Sequence, residues 1–163
     1  MNKHFQSAAV AALILTCVPA ADAGQAAGQV CLNQKTKQVD AAQTRDWQQR
    51  LANSNPQAVQ VLVGTWYNET GSPGTGQVSY LYYNYEANGG FTYQNRVCSQ
   101  RGCNDYSGYG VFAAEMTGSS SIYVAYNISD RSRNSACSAI QMNFADMNTV
   151  LGPDGSMAWR RTR

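Results

Sequence analysis

The sequence predicts an all-β fold, an antiparallel up-and-down barrel of eight strands preceded by a short helical N-terminal arm. Three observations carry this prediction. From Leu62 onward, eight β-favouring segments of strand length alternate with turn clusters. The first segment holds Gly64-Thr65-Trp66 and the last holds Trp159-Arg160-Arg161, which places a ring able to plug a barrel and a cation able to stack on it on the two strands that meet if the sheet closes. Asn88-Gly89-Gly90 is a strong hairpin signal, because both residue types accept positive φ.

The chain begins with the three parts of a secretory signal: basic Lys3, an apolar run from Ala8 to Val18, and small residues Ala21-Asp22-Ala23. The apolar run falls short of the roughly 20 residues a membrane-spanning helix needs, so no transmembrane segment is expected. Residues 1–23 are therefore assigned to a signal peptide, and the protein is expected to be exported, to a periplasm or the medium. Lipidation at Cys17 is the rival use of this segment, disfavoured by the bulk of Leu15 and Thr16.

Residues 24–61 form the expected arm. Val39 to Ala52 reads as a helix with Ala42, Trp47 and Leu51 along one side. Asn53-Ser54-Asn55-Pro56 stops it, and Asn55 as N-cap with Pro56 at the first position starts a second, shorter helix through Ala58, Val59 and Val61. Residues 62–163 form the expected barrel. Its strands are Leu62 to Tyr67, Gln77 to Glu86, Phe91 to Cys98, Tyr106 to Glu115, Ser121 to Ile128, Ala136 to Phe144, Thr149 to Leu151 and Met157 to Thr162. Turn residues separate them, as in Gly71-Ser72-Pro73-Gly74 and Gly152-Pro153-Asp154-Gly155.

Removing residues 1–23 also removes Cys17 of the five cysteines, leaving Cys31, Cys98, Cys103 and Cys137. An even count in an exported chain reads as two disulfides. Of three connectivities, proximity favours Cys98–Cys103 across Ser99-Gln100-Arg101-Gly102, with Cys31–Cys137 tying the arm to a late strand. The cysteines lack a C-x-x-C knuckle, so zinc is not expected. The single histidine, His4, lies within the signal, so the remainder has no imidazole for a Ser-His-Asp or Cys-His site, for a metal or for a pH switch. Without Lys3 and Asp22, eleven basic residues face nine carboxylates, and no basic stripe marks a nucleic-acid partner.

The Gly64-x-Trp66 pair with late Arg160 and Arg161 resembles the lipocalin-like, or calycin, barrel superfamily. That resemblance covers residues 62–163 and implies that Gly64, Trp66, Arg160 and Arg161 close the barrel. Asn88-Gly89-Gly90-Phe91 is similar to the turn that follows a second strand in such barrels. A local stretch, Gly64 to Ser72, is similar to the first strand and turn of avidin and streptavidin. It implies that Asn68 and Ser72 present polar groups where those proteins hold biotin, with Tyr93 as a further donor.

Ten tyrosines are the remaining signal. Tyr80 and Tyr82 share one face of their strand and Tyr83 and Tyr85 the other, so one face carries tyrosines to the outside. An aromatic pocket and plain cross-strand packing both explain them. The ligand-binding set expected from the sequence is Asn68, Tyr80, Tyr82, Tyr93 and Tyr126. The expected function is non-catalytic binding of a small hydrophobic or aromatic ligand in the barrel mouth, with no cofactor and no metal. The alternative is a protein-binding barrel such as a periplasmic protease inhibitor or adaptor, and a biotin-type binder is a third reading. Interior volume separates the first two, since a ligand binder needs an open cup and an inhibitor can be packed solid.

Overall fold

The computed structural model describes residues 30–72, 74–130, 135–152, 154–155 and 157–162. The expected signal peptide and residues 24–29 lie outside the described residues. Two helices, α1 (Ala41–Ala52) and α2 (Pro56–Leu62), lead into β1 (Gly64–Ser72), β2 (Gln77–Tyr85), β3 (Gly90–Ser99), β4 (Gly102–Gly118), β5 (Ser121–Asp130), β6 (Ser135–Asp146), β7 (Thr149–Leu151) and β8 (Met157–Arg161). Each strand pairs antiparallel with the next, and β8 returns to β1, so the eight-stranded sheet closes on itself.

Local chemistry sets the helix starts. The Asp40 carboxylate accepts from Gln43 N at 3.0 Å and caps α1. Asn55 Oδ1 accepts from Gln57 N and Ala58 N at 2.8 and 3.1 Å, with Pro56 at the first helical position of α2. Asn55 N also donates to Ala114 O at 2.7 Å, which anchors the start of α2 to β4. Ala58, Val59 and Leu62 of α2 pack with Trp66, Phe112 and Tyr85, so this helix closes one end of the barrel.

The β1–β8 seam is short: its ladder pairs only Trp66 with Arg161 and Tyr67 with Arg160. Side chains and the strand's end extend it. Asn68 Nδ2 donates to Ala158 O, and Thr162 N donates to Thr65 O at 2.8 Å. At the start of β1, Gly64 has φ +119°, a conformation that any L side chain enters only with strain.

Strand bounds differ from those expected most at β1 and β4, and Leu62, expected to open the first strand, instead ends α2. β1 continues through Glu69-Thr70-Gly71-Ser72, each paired to β2, and β4 starts at Gly102 rather than Tyr106. Gly102 to Asp105 are turn-favouring types, yet a ladder to β3 holds them, with Cys98 opposite Cys103 and the two joined by a disulfide. Cys31 and Cys137 form the second disulfide, 106 residues apart in sequence.

Two cores result. Inside the barrel, Trp66, Tyr85, Phe91, Phe112, Ile122, Val124, Tyr126, Met142 and Val150 are buried. Outside it, α1 lies across β4, β5 and β6, burying Trp47 against Ala113, Ala125 and the Cys31 side of the disulfide.

Candidate binding surfaces

Register decides which tyrosines face inward. Trp66 stands opposite Tyr83, Tyr83 opposite Tyr93, and Tyr85 opposite Phe91, and these side chains share the interior core. Tyr83 lies at the centre of the cluster. Its ring centroid is 5.8 Å from those of Tyr85, Phe91 and Tyr126, 6.0 Å from Tyr93 and 5.3 Å from Trp159. Such spacings are those of favourable aromatic pairs. Room for the rings comes from β4: a Cβ on Gly110 would run into Asn127 O and lie 2.9 Å from Phe91 Cε1, and one on Gly108 would collide with Tyr93.

Two phenols make a buried polar contact inside the barrel. Tyr85 and Tyr126, 1 % and 4 % exposed, place their hydroxyl oxygens 2.5 Å apart. Each satisfies the other among the surrounding rings of Phe91 and Phe112. Tyr85→Phe or Tyr126→Phe alone leaves one buried hydroxyl orphaned and is expected to cost about 1 to 3 kcal/mol, whereas the double variant should cost clearly less than the two single losses added. Urea unfolding of the four proteins measures the coupling directly.

Burial pushes the Tyr83, Tyr85 and Tyr126 phenols upward from the ordinary tyrosine range. A raised folded-state pKa means the native protein keeps protons that the unfolded chain releases above pH 10. The stability carried by these phenols is thus fully present below pH 10 and lost as pH rises toward the folded-state values. The expected result is an unfolding free energy that falls steeply above about pH 10, by up to about 1.4 kcal/mol per pH unit for each such phenol. The Tyr85→Phe/Tyr126→Phe double variant should show a shallower fall in the same urea series.

The structure divides the five tyrosine and asparagine residues expected to bind ligand. Tyr93, Tyr126 and Asn68 face the interior, while Tyr80 and Tyr82 face outward. Asn68 is engaged on both sides, donating to Ala158 O and accepting from Thr70 Oγ1 at 2.7 Å. Around the mouth, Ser79 Oγ donates to Asn95 Oδ1 at 2.7 Å. Of the four residues expected to close the barrel, Arg161 lies over the Trp66 ring at 4.7 Å and donates to Val61 O, whereas Arg160 lies over Tyr67 at 5.0 Å on the outer face.

On that outer face two cross-strand rows line up. Arg160, Tyr67, Tyr82, Gln94 and Ser107 are successive partners across β8, β1, β2, β3 and β4. Glu69, Tyr80, Arg96 and Asp105 form the next row. Tyr67 and Tyr82 rings meet at 4.9 Å, and Arg96 Nε pairs with Asp105 Oδ1 at 3.2 Å. The Tyr67 hydroxyl donates to Glu69 Oε2 at 2.6 Å, and that hydrogen bond to a carboxylate, more than burial, pushes its pKa up to about 12. A groove of about 460 Å³ runs between the rows, lined by Tyr80, Tyr82, Gln94, Arg96, Asp105 and Ser107. Tyr67, Gln94, Arg96 and Asp105 were not among the residues expected from the sequence. Period-two alternation from inward Trp66 already sends Tyr67 outward, but only register brings the others beside it.

Glu69, near the far end of β1, and Glu86, in the turn after β2, belong to opposite ends of the barrel and form no carboxylate pair. Among the described residues no group of three or more His, Cys, Asp or Glu is placed to hold a metal. No helix among them is long and apolar enough to cross a membrane. No family model, curated protein or solved structure matches the chain.

Proposed function

We propose that this chain is an exported, non-catalytic binding protein of the calycin type, whose filled barrel is a scaffold and whose outer β1–β4 face holds a protein partner. The supporting observation is where the aromatic side chains go. Nine rings (Trp66, Tyr83, Tyr85, Phe91, Tyr93, Phe112, Tyr126, Phe144 and Trp159) occupy the barrel, while grooves of about 340 and 460 Å³ lie outside it. A packed interior favours a scaffold over a cup. Tyrosine and arginine are the residue types that dominate protein–protein hot spots, and the outer rows supply both beside Gln94. Tyr82 is 40 % exposed, whereas the middle of the β4–β6 face, around Ala113 and Ala125, is covered by α1. The alternating Arg96, Asp105, Glu69 and Arg160 charges suit a partner of mixed charge rather than a polyanion. Two disulfides accord with an oxidising compartment.

The test combines native mass spectrometry with site-specific photocrosslinking in the oxidising compartment. A crosslinker replacing Tyr82 should capture one protein, and one replacing Gln141 on β6 should not. Tyr82→Ala should then weaken binding of that purified partner at least tenfold while leaving stability within about 0.5 kcal/mol. If the protein instead retains a small molecule that leaves on denaturation, and Tyr93→Ala rather than Tyr82→Ala releases it, the function belongs to the barrel mouth.

A further inference from the structure

The two disulfides differ in access. Cys31 is fully buried and Cys98 and Cys137 are half-buried, whereas Cys103 is exposed. Phe91 and Tyr93 point inward on β3, so alternation sends Gln94, Arg96 and Cys98 outward, with Ser107, Asp105 and Cys103 as their partners on β4. The Cys98–Cys103 bridge therefore forms the row next to Arg96 and Asp105 on the outer face, close to the end of the β3–β4 hairpin.

This bridge contributes the smaller share of global stability. Its cysteines are 5 residues apart in sequence, against 106 for Cys31 and Cys137, and the entropy of loop closure grows with length. What it holds is local: Gly102 to Asp105 are turn-favouring types that are strand through their partners on β3. The other ties at this end are themselves exposed. Arg96 Nε pairs with Asp105 Oδ1 at 3.2 Å with both side chains more than half in solvent, and Ser99 Oγ accepts from Arg101 N at 3.2 Å. An ion pair of this kind contributes little.

Neighbouring charges give the bond a polarity. Arg96 lies two residues before Cys98 on the same face and favours a thiolate there, while Asp105 lies two residues after Cys103 and disfavours one. Access and charge therefore agree: Cys103 Sγ is the sulfur open to attack, and Cys98 Sγ is the better leaving group. We infer that Cys98–Cys103 is a thiol-exchange site, at which an external thiolate attacks Cys103 Sγ and frees the start of β4 from β3. The incoming sulfur bonds to Cys103 Sγ, the bond between the two cysteines breaks, and its electron pair leaves with Cys98 Sγ. A dithiol completes the reduction. Its second thiolate attacks its own first sulfur, closing a disulfide in the reductant and releasing Cys103 as a thiolate, so the reductant is oxidised and the protein gains two thiols. Exposed disulfides are in general the labile ones. The inference does not depend on what the β1–β4 face holds.

The full, oxidised chain is treated with 2-mercaptoethanol at mildly alkaline pH and quenched with excess iodoacetamide, which alkylates the cysteine that has left. Peptide mass mapping should find the mercaptoethanol on Cys103 and the alkyl group on Cys98. Dithiothreitol without denaturant should reduce Cys98–Cys103 about tenfold faster than Cys31–Cys137, or more. Amide hydrogen exchange at residues 102–105 should then quicken about tenfold or more, with that of β5 unchanged. The inference is overturned if the two bridges are reduced at equal rates, if neither is reduced in the folded chain, or if the mercaptoethanol is found on Cys98. Residues 102–105 that stay protected after reduction would overturn it equally, because the bridge would then hold nothing that exchange releases.

Discussion

Replacing both Cys31 and Cys137 by serine is expected to remove about 4 to 5 kcal/mol of stability, the chain-entropy value for a loop of this length. The corresponding Cys98 and Cys103 pair, only five residues apart, should cost about 2 kcal/mol on the same model. The difference has a structural counterpart. Cys31 is fully buried, its N–H donates to Thr44 Oγ1 at 2.9 Å, and its carbonyl accepts from Asp40 N at 2.8 Å, so the disulfide holds the start of α1 as well as the chain before it. Asn127 Nδ2, donating to Val30 O at 3.3 Å, is the neighbouring tie between arm and barrel. Without the bridge, α1 is held chiefly by Trp47 and by Arg50, whose guanidinium pairs with Glu115 at 3.4 Å and lies over the Tyr123 ring at 4.3 Å. Partly exposed pairs of this kind contribute little.

The measurement is urea unfolding followed by far-ultraviolet circular dichroism for the sheet and, for the arm, by the part of the tryptophan fluorescence change that Trp47→Phe removes, since Trp66 and Trp159 report on the barrel. The Cys31/Cys137 variant should lose α1 packing at lower urea than it loses the sheet, with non-coincident transitions. A loss no greater than that of the Cys98/Cys103 variant would mean that closing the long loop between arm and β6 contributes no more than closing the short one.

Elements specified by their own local residues were legible in the sequence. Asn55-Pro56 supplies its own cap and first helical residue, and Asn88-Gly89-Gly90 marks the β2–β3 turn, although only Gly89 of the three takes positive φ, at +84°. Cys98 and Cys103 needed only their short spacing. The start of β4 was not legible, because Gly102 to Asp105 become strand through partners on β3 rather than through their own preference. The same holds for the candidate sites. Alternation shows that Tyr80 and Tyr82 oppose Tyr83 and Tyr85, but the side on which the barrel closes depends on Tyr83 standing opposite Trp66. Arg160 and Arg161 are adjacent in sequence, and one register position separates stacking on Tyr67 outside from covering Trp66 inside.

Trp66→Ala is expected to cost about 3 to 5 kcal/mol, the range for deleting a buried aromatic side chain. Several contacts converge on this ring. The indole is 1 % exposed, its Nε1 donates to Leu62 O at 2.7 Å, and its edge meets Phe144 at a centroid distance of 5.8 Å. Above it lies Arg161, whose guanidinium also donates to Val61 O, so the ring joins α2, β1, β6 and β8 at one point. Alanine would open a cavity, orphan the Leu62 carbonyl and leave the Arg161 cation without its aromatic partner. Trp66→Phe separates these effects: it keeps a ring under Arg161 but loses the indole N–H and some volume, and should cost less than half as much. Burial lowers the Arg161 pKa from its ordinary value, so this guanidinium already sits in a place unfavourable to charge and depends on the ring and the Val61 carbonyl to remain there. Arg161→Lys should therefore be destabilising even though the charge is kept, because an ammonium cannot lie flat on the indole. Combining it with Trp66→Ala should add little, since the contact it removes is already gone. Additive losses in that cycle would show that Trp66 and Arg161 stabilise the closed end separately, and a Trp66→Ala loss below about 1 kcal/mol would show that the barrel is not plugged by this ring.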